Sequence, residues 1–342
     1  MTRTNGDEVL VTGGSGYLAG WIIAALLRQG SRVRTTVRSL AREGEVRAAI
    51  AAHVDPGDRL SFFEADLLKD EGWERAAAGC RHVLHVASPM PVREYARQDL
   101  VRPAREGVLR VLKAASGAGV DRVVMTSSLN AAMPRAGSSS AVADEETWTD
   151  LSDRKVSNYT RSKTLAEQDA WAYARSLGGP MELVTVLPAF IQGPVFSKDV
   201  SGSLELVARL LKGEVSALPQ VGFSIVDIRD LVDLHLSALT SPAAKGQRFI
   251  AASDFLWMSE IAQLLRDRFG ADAAKVPVRR APDLMVRFAA RFDPSLREIA
   301  SNLGKRRECS AEKAKRLLAW RARPAAESII DGARSMIEAR LA

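Results

Sequence analysis

The sequence predicts an α/β fold: a doubly wound parallel sheet with a smaller, mainly helical C-terminal lobe. Three observations carry that prediction. Short β-branched runs alternate with helical patterns through the first half of the chain. Those runs read as mostly buried on both sides, the pattern of strands covered by helices on both faces. After Pro188 the rhythm changes, and the chain becomes mainly helical and rich in arginine. With 342 residues, 46% of them hydrophobic, the chain can build a large buried core and is not a disordered polymer.

Taken in order, the first strand is Val9–Thr12, ending at the glycines of GGSG, and a helix follows at Trp21–Gln29. Strands at Arg32–Val37 and Leu60–Phe63 come next, then a helix at Trp73–Ala78. A fourth strand, His82–Ala87, leads to a helix at Pro103–Ala115. The fifth strand, Arg122–Ser127, precedes a helix at Ser162–Arg175 and a sixth strand at Glu182–Leu187. Residues 189–222 read as a loop and a helix, Ser203–Lys212. FSIVDIRDLVDLHLSAL gives a short strand and a helix, and GQRFIAA another strand. This pattern divides the chain into residues 1–188 with 223–251 as one domain and 189–222 with 252–342 as a second lobe. The run AGSSSAVADEE, residues 136–146, reads as a mobile loop.

Composition excludes several classes. The two cysteines, Cys80 and Cys309, form no CxxC pair, so neither a disulfide framework nor a structural zinc site is expected. No apolar stretch approaches the roughly 18–20 residues that span a bilayer. The N-terminus lacks the layout of a signal peptide, so the expectation is a cytoplasmic protein with no membrane partner. The net charge of +7 is spread along the chain apart from the run GKRRECSAEKAKR, residues 304–316, which reads as a solvated helix face. No zinc-finger spacing, RNA-binding aromatic motif or basic arm points to nucleic acid.

The stretch VLVTGGSGYLAG has the spacing of a phosphate-binding turn between strand and helix. Such a turn needs tight backbone turning, close phosphate approach and a small residue where the helix meets the strand. Ala19 serves the last role, and Gly20 reads as incidental. Amides at the helix start would hold a pyrophosphate. An acidic residue at the end of the second strand would select NAD. Here Arg38 stands there, with Ser39 beside it and Arg42 nearby, so a 2′-phosphate, hence NADP(H), is expected. A surface arginine is the plain alternative. Asp66, after the third strand, is placed near the adenine, though it is also a common turn former.

In SNYTRSKTLAEQ, Tyr159 and Lys163 are four apart and share one helix face. Upstream, VVMTSS puts Ser127 and Ser128 at the carboxyl edge of the fifth strand, where ligands bind in such sheets. Glycine turn, strand-end serine and YxxxK in this order suit hydride transfer to a carbonyl. Negative charge builds on oxygen, so a proton donor and an oxyanion partner are required. A phenol ordinarily titrates near about 10, and a neighbouring ammonium favours its ionised form, which fits a tyrosine to acid–base work. Ser128 would orient the substrate oxygen, with Ser127 as the fallback. A serine hydrolase is unsupported, since no G-x-S-x-G elbow occurs among the four histidines' possible partners. The histidines also lack HExxH spacing for a catalytic metal.

At this point the chain resembles the extended short-chain dehydrogenase/reductases, and more narrowly the dihydroflavonol reductase-like aldehyde and ketone reductases. The markers are VTGGSGYLAG, TVRS, ADL, HVASPM, VVMTSS, YTRSKTLAEQDAWAYA, LPAFIQGP and FSIVDIRDLVDLHLSAL, spread over most of the chain. The resemblance implies a Rossmann domain, a small substrate lobe, NADP(H) and Ser128–Tyr159–Lys163 catalysis. It carries cofactor contacts onto Gly13, Ser15, Gly16, Tyr17, Leu18, Arg38, Asp66, Leu67, Val86, Ala87, Ser88, Thr126, Tyr159, Lys163, Pro188 and Ile191. Substrate contacts fall on Ser128, Met133 and Tyr159. Two departures stand out. The helix asparagine of many short-chain enzymes is missing from VRPAREG, and Met133 stands where plant dihydroflavonol reductases have an asparagine. Methionine lines apolar pockets and donates no hydrogen bond. The expectation is an NADPH-dependent reductase of an apolar or aromatic aldehyde or ketone, acting as monomer or homodimer. Its rivals are a nucleotide-sugar epimerase or dehydratase, a 3-beta-hydroxysteroid-type dehydrogenase and a non-catalytic NADP sensor. Substrate choice is placed in Met90–Arg97, Met133–Ala143 and Phe196–Val221.

Overall fold

The computed structural model describes residues 6–89, 99–134, 142–153, 156–293 and 295–342. In chain order the first elements are β1 (Glu8–Val11), α1 (Tyr17–Arg28), β2 (Arg32–Val37), α2 (Glu43–Ala51), β3 (Leu60–Glu64), α3 (Trp73–Ala77), β4 (His82–His85), α4 (Val101–Gly117) and β5 (Arg122–Thr126). Then come β6 (Val142–Ala143), α5 (Asn158–Leu177), β7 (Glu182–Pro188), β8 (Phe190–Gln192), α6 (Glu205–Lys212), β9 (Gly222–Asp227), α7 (Ile228–Thr240), β10 (Arg248–Ala251) and β11 (Phe255–Trp257). The chain finishes with α8 (Met258–Phe269), α9 (Asp283–Ala289), α10 (Ser295–Asn302), β12 (Glu308–Cys309), α11 (Glu312–Leu318) and α12 (Ala325–Glu338).

Seven strands form one parallel sheet in the order β10-β7-β5-β4-β1-β2-β3. The order reverses between β1 and β4, where Val9 pairs with His82 and Val11 with Leu84. That reversal opens a crevice at the carboxyl ends of the strands, the place where such sheets bind ligands. The strands earn their central position by composition: HVLH of β4 is buried throughout, and so are four of the five residues of β5. Helix α1 buries Ile22, Ile23, Leu26 and Leu27 against one sheet face, and α4 with α5 covers the other through Val108, Leu112, Ala166 and Ala170. Helix α2, which the strand–helix rhythm left unassigned, is signalled by Val46 and Ile50 four apart on its buried side.

Beyond β7, β8, β9 and β11 make a second, three-stranded sheet, and α6, α8 and α12 pack a separate apolar cluster around Leu204, Leu210, Ile261, Leu265 and Ile329. Among the described residues no helix is long and apolar enough to cross a membrane. No group of three or more His, Cys, Asp or Glu side chains there could hold a metal ion.

Three expectations need correction. The run 304–316 is not one helix face: it is an exposed loop, the two-residue strand β12 and helix α11, whose Ala314 is fully buried. Of the loop at 136–146, residues 136–141 lie outside the described residues, but Val142 and Ala143 pair with Glu308 and Cys309. The Glu145 carboxylate is buried and accepts from the Ile250 amide at 3.0 Å. Gly20 is not incidental. A Cβ there would lie 2.5 Å from the Phe196 ring, so the missing side chain lets α1 seat against it. The segment Met90–Arg97 and most of Met133–Ala143 fall outside the described residues.

Candidate active site

The turn after β1 is shaped by three glycines with different jobs. Gly13 adopts φ +75°, and a Cβ there would lie 3.1 Å from Ala87. Gly14, which the motif reading passed over, leaves room for Thr35, whose hydroxyl would be 2.3 Å from a Cβ. Gly16 donates back to the Gly13 carbonyl at 2.9 Å and is the N-cap of α1. The turn is pinned to β2, since the Gly13 amide donates to the Thr36 hydroxyl at 3.0 Å and the Gly14 amide to the Thr36 carbonyl at 2.9 Å. No side chain caps α1 and no acid occupies its first turn. By contrast Ser157 caps α5 and Asp227 caps α7. The α1 amides are thus left for an anion, at a turn whose tight packing against Ala87 and Thr35 a Cβ at Gly13 or Gly14 would disrupt.

The predicted cofactor residues distribute as follows. Ser15 is exposed at the turn, and Leu18 is buried beneath it. The Tyr17 hydroxyl donates to the Pro194 carbonyl at 2.8 Å, and burial holds it protonated well above the ordinary range. Arg38 is exposed after β2 with no hydrogen bond or ion pair among the described residues, whereas Arg42 is paired with Glu45. The Asp66 carboxylate accepts from the Leu68 amide at 3.0 Å in a turn, and its carbonyl accepts from Trp73 at 3.1 Å. The amides of Val86 and Ala87 both donate to the Thr12 hydroxyl, at 3.1 and 3.0 Å. Pro188 is buried at the end of β7, and Ile191 lies half-buried on β8.

Five residues assigned to cofactor binding by sequence, Leu67, Ala87, Ser88, Thr126 and Lys163, line one cavity at the carboxyl ends of β4 and β5. His85, not among the assigned residues, lines it too. Lys163 is 6% exposed, four residues along α5 from Tyr159, with its ammonium 6.0 Å from the Tyr159 ring centre. Its ammonium meets no hydrogen-bonding partner among the described residues, and burial pushes its pKa from 10.5 down to about 8 against the opposing pull of Glu167. An orphaned ammonium of this kind is an observation that a ligand must answer. With the glycine turn packed on Ala87, which lines the same cavity, the residues present fit a dinucleotide.

The two serines of VVMTSS have different fates. Ser127 donates its hydroxyl to Glu167 at 2.7 Å in a buried network. Glu167, fully buried, also accepts from Thr185 at 2.7 Å and from Arg248 at 2.8 Å. Among the described residues Ser128 only accepts, from the Asn130 amide at 3.2 Å, which leaves its own proton without an acceptor there. Met133 is 8% exposed just beyond it. The network around Glu167 was missed by sequence reasoning. Its one local signal is an acid four residues after Lys163 on the same helix face.

Comparison with known proteins follows the same lines. Residues 9–252 match the NAD dependent epimerase/dehydratase family. Dihydroflavonol 4-reductase of Zea mays is 36% identical over 273 residues, covering 76% of this chain and 74% of its own. Tetraketide alpha-pyrone reductase 1 of Arabidopsis thaliana is 33% identical over 296 residues, covering 84% and 88%. The structure of yeast methylglyoxal/isovaleraldehyde reductase Gre2 complexed with NADPH superposes with a TM-score of 0.81 at 25% identity, over 97% of this chain and 99% of that one. Sheet order, glycine turn and these likenesses together make the chain a member of the NAD dependent epimerase/dehydratase family, an extended short-chain dehydrogenase/reductase of the dihydroflavonol reductase-like kind.

Proposed function

We propose that the protein is an NADPH-dependent carbonyl reductase acting on an apolar or aromatic aldehyde or ketone. The observation that carries this reading is the Lys163 ammonium beside Tyr159, without a hydrogen-bonding partner among the described residues, in a cavity at the strand ends next to the glycine turn. The relatives are named as reductases, and one solved neighbour is complexed with NADPH. The unpaired guanidinium of Arg38 supports a 2′-phosphate on the dinucleotide. When bound, the cofactor supplies a hydride to the carbonyl carbon, and the product is the alcohol.

This chain's residues do the rest. The α1 amides and the turn glycines hold the pyrophosphate. Lys163 donates to the nicotinamide ribose hydroxyls and, as an ammonium, favours loss of the Tyr159 proton. Tyr159 gives that proton to the carbonyl oxygen, which balances the hydride gained at carbon. Ser128 donates its free proton as a hydrogen bond to the same oxygen and orients it. Met133, buried beside Ser128, offers the substrate an apolar wall. Residues 189–222 with 252–342, which carry α6 and the helices after β11, are read as the substrate lobe. The test is NADPH oxidation across aldehydes, ketones, steroids and nucleotide sugars, with Tyr159→Phe as the control. Loss of turnover by at least about a hundredfold in that variant is expected, and near wild-type turnover refutes the mechanism.

A further inference from the structure

His85 is buried in the middle of the sheet, 4% exposed, yet the mechanism above gives it no task. Its hydrogen positions can be counted. The Thr12 hydroxyl oxygen already accepts from the Val86 and Ala87 amides, at 3.1 and 3.0 Å. Its lone pairs are used, so its proton goes to His85 Nδ1, 2.9 Å away. His85 is therefore a neutral ring with its hydrogen on Nε2. Burial first, and the Lys163 charge second, push its pKa down to about 3, so the ring stays neutral. His235 shows the opposite arrangement. Its Nδ1 donates to the Leu231 carbonyl at 2.8 Å, so its Nε2 accepts from Thr126 at 2.9 Å.

The consequence lies in the cavity. His85 and Lys163 both line it, and neither His85 Nε2 nor the Lys163 ammonium has a partner among the described residues. Both are donors. Two buried donors facing one space cannot satisfy each other and call for an oxygen that accepts from both. Most of the other walls, among them Ala104, Val108, Met125 and Ala166, are apolar; the polar exceptions are Ser88 and Thr126, whose hydroxyl is engaged with His235. A charged histidine would repel the ammonium there, and the Thr12 bond removes the lone pair that could take the proton.

We propose that His85 is a positioning residue for Lys163, and that its Nε2–H and the lysine ammonium share one acceptor oxygen in this cavity, either a water or a cofactor ribose hydroxyl. The proposal rests on the reductase reading for its consequence but not for its geometry. The test compares wild type, His85→Leu and His85→Gln by fluorescence titration of NADPH, with thermal melts of each. It adds wild-type crystal structures with and without NADP+. Expected is a Kd for NADPH about tenfold weaker in His85→Leu and within about threefold of wild type in His85→Gln, which keeps an N–H donor. In the crystals an oxygen lies within hydrogen-bonding distance of both nitrogens. Its presence without cofactor identifies a water, and its appearance only with cofactor identifies a ribose hydroxyl. Equal affinity in all three proteins, or affinity lost in both variants only in step with melting temperature, overturns the role. If His85→Leu does not fold, the crystals decide, and the absence of a shared oxygen in both overturns it. Wild type that binds NADPH but reduces no carbonyl sinks the reductase reading and leaves this one standing.

Discussion

The ammonium of Lys163 should make the cofactor-free protein less stable than a protein without it. Burial lowers its pKa from 10.5 to about 8, which corresponds to roughly 3 kcal/mol of penalty while the group is charged in both folded and unfolded chains. The sign follows from proton counts. Below about pH 8 both states carry the proton, and the folded state bears the whole penalty. Between about pH 8 and 10.5 the folded state releases its proton first, so stability from this group rises with pH. Lys163→Met is close to isosteric and breaks no hydrogen bond to the described residues. It should therefore be more stable than wild type by about 3 kcal/mol at pH 7, and by almost nothing near about pH 11. Over 342 residues, an unfolding entropy of about 2.1 cal/mol/K per residue makes the gain at pH 7 roughly 4 °C in Tm. The assay is urea unfolding of both proteins at the two pH values, read as a difference so that other titrating groups cancel. Saturating NADPH should then narrow or reverse the order, because about 100 times Kd of ligand adds about 2.7 kcal/mol to whichever protein binds it. A variant less stable than wild type at pH 7, or a difference that does not change with pH, would refute the reasoning.

Arg38→Glu should lower kcat/KM for NADPH by at least about tenfold while leaving that for NADH unchanged or higher, because a charge-assisted contact to the 2′-phosphate becomes a repulsion; steady-state kinetics with both cofactors read it. Arg248→Met should cost about 3–5 kcal/mol in chemical denaturation, since it leaves the fully buried Glu167 carboxylate without its cation. Acid should unfold the protein early. Burial pushes His85 down to about 3 and His235 down to about 4, so their contribution is complete above about pH 6.5 and fades as pH falls toward those values, each at up to about 1.4 kcal/mol per pH unit. Denaturation midpoints between pH 7 and 4.5 should steepen accordingly, and His235→Gln should remove about one proton from the dependence.

What could be read from the sequence was local. Alternating apolar runs placed the strands of the parallel sheet, and the glycine spacing, Arg38 and the Tyr159–Lys163 pair each fit inside one short segment. What escaped depends on residues that meet only after folding. Thr12 reaches His85 across 73 positions and Glu167 reaches Arg248 across 81. Gly20 gained its meaning only when Phe196 packed over it, and Glu308 pairs with Val142 from the far end of the chain. Neither periodicity nor motif spacing encodes such meetings.

The TSS triplet shows how the two kinds of information combine. Ser127 and Ser128 both follow the end of β5, yet they meet different partners. Ser127 turns toward α5 and gives its proton to Glu167, which Arg248 holds from β10. That network fixes the helix carrying Tyr159 and Lys163 against β5, β7 and β10. Ser128 accepts from the Asn130 amide instead and donates to no group among the described residues. One serine therefore ties down the helix, while its neighbour is left to the role proposed above for the substrate oxygen. The same division holds for the histidines, where His235 ties Thr126 to α7 and His85 turns its remaining hydrogen toward the lysine's cavity. Around the helix that carries Tyr159 and Lys163, Ser127, Glu167, Arg248, Thr126 and His235 are each hydrogen-bonded, and such second contacts are what hold a site in one geometry.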